Sequence, residues 1–224
     1  MFEIIATICD LIIAVVGLLF TIRQVHCDRK AKAKEKMEEK CCFELAQKSI
    51  EISKLINNIE NSTEVMKMAA ENIAIPSTQK NEEKLLKPSN QLFKAIHVAH
   101  HDCEEIYHKC IEVKADINSI YTNLLRNESM FSLSIGFGRI IDACRPVVYG
   151  MDEQLNNLND KVRKLHGTTY TIGFRQGGNM TDKDVVTLQK NFEEMIHALI
   201  AISKLLEGIY PMIKELELKF SIEE

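Results

Sequence analysis

The sequence predicts an all-α fold: an N-terminal transmembrane helix followed by an antiparallel up-and-down helical bundle with coiled-coil-like seams. Three observations predict it. Residues 4–22 carry one charged side chain, Asp10, and at about 1.5 Å per residue they reach about 28 Å, close to the hydrocarbon depth of a bilayer. Four long apolar stripes follow, stepping by threes and fours, which is the spacing of helical seams. Almost no stretch alternates in the manner of a strand.

The first element is read as an anchor, residues 1–22. A cleaved signal peptide needs a basic start, a shorter apolar run and small residues before the cut, whereas this chain opens with Glu3 and leaves the run through Ile22-Arg23-Gln24, so retention is expected. On a helical wheel Glu3, Ala6, Asp10, Ala14, Gly17 and Thr21 fall within an arc of about 80°. Small residues permit close helix contact in lipid, and a carboxyl there must be shared, protonated or wetted. Two readings stay open: association of spans through this face, or a monomeric anchor whose Asp10, about 9 Å along the helix from Ile4, snorkels to the surface. A third, a buried helix of a soluble protein, fits the flanking charge less well.

Residues 23–40 form a basic juxtamembrane linker. Arg23, Arg29, Lys30, Lys32, Lys34 and Lys36 follow the span, and no Lys or Arg precedes it. The positive-inside rule then puts the N-terminus outside and the C-terminal domain in the cytoplasm. The run from Arg29 to Lys40 lacks Gly, Pro and β-branched residues and is expected to carry the helix onward. Its cations meet anionic headgroups more naturally than nucleic acid, which a net charge of −4 does not attract.

Residues 41–224 are expected to be a cytoplasmic bundle. A first stripe, Leu45, Ile52, Ile56, Ile59, Met66, Ala70 and Ile73, ends at Pro76. Pro88-Ser89-Asn90 opens the second, which runs unbroken from Leu92 through Cys103, Cys110 and Ile117 to Leu124. The third, Phe137 to Leu165, crosses Pro146 and Gly150, where a kink or a start is expected. The fourth opens on the capping box Thr181-x-x-Asp184 and runs from Val185 to Phe220, with a bend expected at Pro211. Between the last two, residues 166–181 alternate Thr169, Thr171 and Gly173 with Tyr170, Ile172 and Phe174. That pattern suggests a hairpin or ordered loop, in which Tyr170, Phe174 and Arg175 form a candidate partner loop.

Seven cysteines, odd in number and irregular in spacing, suit a reducing compartment. Cys103 and Cys110 read as core fillers, whereas Cys27 and the pair Cys41-Cys42 sit near the expected membrane edge, open to acylation or oxidation. The N-x-S/T triplets at Asn61, Asn127 and Asn179 matter only if the topology is inverted.

Two Glu-x-x-His pairs, Glu105/His108 and Glu194/His197, resemble half of a bundle di-iron site, but heptad register turns both outward. His97, His101, Glu104 and His108 make an outer stripe, either a solvated face or a Zn²⁺ perch. Gly136-Phe-Gly138 lacks the third glycine and the strand of a dinucleotide fingerprint. P-loop, zinc-protease and nucleophile-elbow motifs are missing from the sequence, so no catalytic residue, cofactor or resident metal is expected.

The junction Gly17-Leu-Leu-Phe-Thr-Ile-Arg-Gln-Val25, leading into Arg29-Lys-Ala-Lys-Ala-Lys-Glu-Lys36, resembles a loose class of uncharacterised bacterial proteins. These have one N-terminal span, an Ala/Lys/Glu-rich cytoplasmic helix and a helical bundle, and some accompany anti-phage systems. The resemblance covers the first forty residues and carries no functional residue. It implies a membrane-placed signalling or defence component whose bundle binds a protein partner or itself, the lipid bilayer and a homo-oligomer being the expected associations. The alternative is a membrane-perturbing, pore-forming effector assembled through the Asp10 face.

Overall fold

In the computed structural model, residues 2–73, 90–130, 135–174 and 180–221 are described, with side chains over 13–71, 94–127, 138–172 and 180–218. Five helices account for nearly all of them: α1 (Phe2–Gln47), α2 (Ser49–Ile73), α3 (Asn90–Met130), α4 (Ile135–Phe174) and α5 (Asp182–Ser221). Only Lys48 separates α1 from α2, and the amides of Lys48 and Ile52 donate to the carbonyls of Leu45 and Lys48. The two helices therefore form one column, and the bundle has four columns. The expected onward run of the linker helix and the first apolar stripe thus join in one column. Its cause is local: nothing between Arg29 and Ile73 breaks a helix, and the apolar seam runs through the junction as Cys41, Cys42, Leu45, Ile52, Leu55 and Ile59, all buried.

Column order follows chain order, α2 beside α3, α3 beside α4, α4 beside α5, and α5 back against α2. Side-chain contacts fix each successive pair of columns as antiparallel. Lys48 reaches Asp116 at 2.7 Å while Ser62, further along, reaches the earlier Asp102 at 3.2 Å. Lys114 meets Asp152 and His100 meets His166 across α3 and α4. Asn191 donates to Thr168, and Gly150 faces Leu205, across α4 and α5. This is an antiparallel up-and-down topology.

The seams read from the sequence are the core. Ile96, Ala99, Cys103, Ile106, Cys110, Val113, Ile117, Ile120 and Leu124 are buried on α3, and Val185, Leu188, Phe192, Met195, Leu199, Ile202, Leu206, Ile209 and Ile213 on α5. Each fully buried Leu, Ile or Phe contributes roughly 1.5–3 kcal/mol relative to exposure. The capping box forms as expected: the Thr181 amide donates to Asp184 Oδ2 at 2.8 Å, and the Asp184 amide to Thr181 Oγ1 at 3.3 Å.

Three expectations change. Of the kink or start expected at Pro146, the start is excluded, since α4 runs through it; Pro146 sits on the exposed face while Cys144, Val147 and Val148 on either side of it are buried. No hairpin forms at 166–174, for α4 continues to Phe174. Leu165 and Ile172, two turns apart, are both buried and extend the seam, while Thr168, Thr169 and Thr171 return their hydroxyls to the carbonyls four residues earlier. Packing of the apolar edge thus overrides β propensity. Finally, Cys41 and Cys42 lie in the core rather than at an accessible membrane edge.

Candidate functional site

Below the bundle, α1 stands alone. From residue 13 to 33 every side chain is exposed, and Ile13, Val16, Leu18, Leu19 and Phe20 are each 59–69% exposed. Large apolar side chains in an unbroken exposed run need a partner surface, since isolated apolar residues are ordinary on a soluble protein but a contiguous rod is not. The rod does not pack as a core helix, and partial burial begins only at Lys34, followed by Met37 and Glu38.

Of the expected association face, Ala14, Gly17 and Thr21 are exposed. Nothing lies within 4 Å of a Cβ built at Gly17, and Thr21 donates to the Gly17 carbonyl at 2.9 Å. The side chains of Glu3, Ala6 and Asp10 lie outside the described residues. Above this face, Arg23, Arg29, Lys30, Lys32 and Lys36 are exposed around the rod, a collar of cations directly following the apolar run. Lys34 pairs with Glu38 at 3.8 Å, where partial burial pushes the Glu38 carboxyl up against the opposing charge of Lys34.

Among the described residues, one helix, α5, is long and apolar enough to cross a membrane, an 18-residue window within Asp182–Leu218 reaching a mean hydropathy of 1.4. It is, however, the core helix of the bundle, packed against α4, α2 and α1. Its apolar character serves that burial, and its outer face carries Lys190, Glu193, Lys204 and Glu207.

The expected partner loop is replaced by a helix end. Tyr170 is exposed on α4, Phe174 closes the helix with its side chain outside the described residues, and Arg175 lies outside them altogether. Both Glu-x-x-His pairs face outward: Glu105 pairs with Lys109, Glu194 with Lys161 at 2.7 Å, and His108 and His197 are exposed. Cys103, Cys110 and Cys144 are buried thiols, each pushed up to about 12 by desolvation, so they are poor nucleophiles.

Sequence reasoning missed a groove between α3 and α4. One part, of 570 Å³, is lined by His100, Glu104, Tyr107, His108, Arg163 and His166 among others. An adjoining recess of 520 Å³ is lined by Ile96, His97, His100, Leu165, His166 and Thr169. The outer stripe is thereby divided: His97, Glu104 and His108 join the groove, while His101 stands apart, 3.9 Å from Asp102. His166 was legible only once α4 is carried past Leu165, which places it beside the seam. Among the described residues no three His, Cys, Asp or Glu side chains are already arranged to hold a metal.

The fold and the rod define a class: an all-helical bundle bearing a protruding apolar helix. No protein family, curated protein or solved structure matches the chain.

Proposed function

We propose that this chain is a non-enzymatic, single-span membrane protein whose cytoplasmic bundle binds a protein partner or a second copy of itself, placing a signalling or defence component at the membrane. The exposed apolar rod carries the reading. Side chains such as Ile13 and Phe20, each 69% exposed, are stable in hydrocarbon and unstable in water. The cationic collar supports a cytoplasmic bundle by the positive-inside rule. The thiols of Cys27, Cys41, Cys103, Cys110 and Cys144 form no disulfide, in keeping with a reducing compartment. Asn127 is buried and its amide bonds to the Asn123 carbonyl, which leaves that triplet unsuited to a glycan.

The test is fractionation of the full chain. It should pellet with membranes, resist alkaline carbonate and dissolve only in detergent. Recovery in the supernatant after detergent-free lysis would refute the proposal.

A further inference from the structure

The α3–α4 recess lies toward the end of the bundle away from the rod and gathers imidazoles that packing does not require. His100 and His166 set their ring centroids 5.5 Å apart with planes at 50°. Two imidazoles sharing one tetrahedral Zn²⁺, with nitrogen bonds of about 2 Å, have centroids about 5 Å apart. The two helices already hold the rings at nearly that separation.

Glu104 supplies the next part. Its Oε2 lies 3.5 Å from Nδ1 of His100, and a carboxylate there favours the proton on Nδ1. The lone pair is then on Nε2, the tautomer that outer carboxylates impose on metal-bound histidines. His97 is one helical turn before His100 and lines the same recess as His166. Three donors do not converge in this arrangement; the helices set the His100 and His166 rings at a suitable separation, and binding requires these side chains and His97 to turn toward a common point.

We propose that His100 and His166, joined by His97, form a site for a nitrogen-preferring divalent cation of the Zn²⁺ class, with Glu104 positioning His100 and water in the fourth place. Imidazole donors select such ions over Mg²⁺ or Ca²⁺, which take oxygen. The ion would clamp α3 to α4 and tighten that end of the bundle. The site stands on residues of the bundle alone and does not depend on the membrane reading.

The experiment uses the full chain in detergent micelles, stripped by a chelator and titrated with Zn²⁺ by calorimetry and thermal unfolding. One equivalent per chain should bind and raise the unfolding midpoint. His100→Ala and His166→Ala should each weaken binding by at least about tenfold, and Glu104→Gln by roughly tenfold through loss of orientation. His101→Ala, outside the groove, should leave it unchanged. These side chains lie at the surface, and unaltered circular dichroism will show that the variants fold. With Co²⁺ in place of Zn²⁺ the spectrum should be that of a tetrahedral nitrogen–oxygen site. Lack of saturable binding, binding that survives the His100→Ala/His166→Ala pair, or a thiolate spectrum lost with Cys27→Ser would each overturn the proposal.

Discussion

Ile13→Lys combined with Val16→Lys puts two ammonium groups near the middle of residues 4–22. Neither side chain touches the bundle, being 69% and 59% exposed, so the exchange acts on the rod's surroundings and on nothing else. The twelve Leu, Ile, Val and Phe residues between Ile4 and Ile22 favour insertion by about 0.3–0.6 kcal/mol each at the centre of a span, or about 4–7 kcal/mol together. Each lysine reverses one such contribution and adds about 2.5–3.5 kcal/mol of cost, so the pair shifts the balance by about 6–8 kcal/mol, as much as these twelve residues supply before the cost of Asp10 is subtracted. Alkaline carbonate extraction followed by ultracentrifugation should move the variant from pellet to supernatant. Its helicity and the protection of Cys103, Cys110 and Cys144 should be unchanged. A variant that stays embedded, or one that leaves the membrane only because its bundle has unfolded, would refute the reasoning.

Other outcomes follow from the packing and the charges. Gly150→Ala should stabilise α4 by up to about 1 kcal/mol in urea titrations, because its Cβ meets Leu205 Cδ2 at an ordinary 3.5 Å, whereas Gly150→Leu should cost about 1–3 kcal/mol by overpacking. Leu206→Ala, at a fully buried position, should cost about 2–5 kcal/mol, and Val186→Ala, 63% exposed, less than about 0.5 kcal/mol. The Glu194 carboxyl is held below its ordinary value of 4.5, chiefly by the hydrogen bond from Lys161. Its folded-state value is depressed, so its contribution is present above the unfolded value and is lost as pH falls through the folded one. Denaturation midpoints should therefore drop on acidification below about pH 4.5 less steeply in Glu194→Gln than in the parent chain. Cys27, exposed on the rod, should resist an impermeant maleimide added to intact cells and react after permeabilisation; labelling from outside would reverse the topology. Cys41 and Cys42 cannot report on orientation, because burial already shields them.

Periodicity by itself determined the helical class, the α3 and α5 seams almost residue by residue, and the N-terminal cap of α5. Those features depend on short-range regularities, a 3.6-residue repeat and a Thr-x-x-Asp spacing, which are fully written in the chain. The outward register of Glu105 and Glu194 followed from the same repeat. Tertiary packing decided the rest. The alternating Thr169–Phe174 stretch has strand-like composition, yet burial of Ile172 keeps it helical, because one buried side chain outweighs a local preference of a few tenths of a kcal/mol. Pro146, which costs a helix interior about 3 kcal/mol, is offset by the burial of Cys144, Val147 and Val148 around it. Cys41 and Cys42 are adjacent to a basic linker in sequence, but the column they belong to lies against α3 and α5. The meeting of His100 with His166 depends on how two antiparallel helices are set side by side. Sequence spacing carries no record of that distance, since it arises from the packing of two helices that brings together residues 66 positions apart.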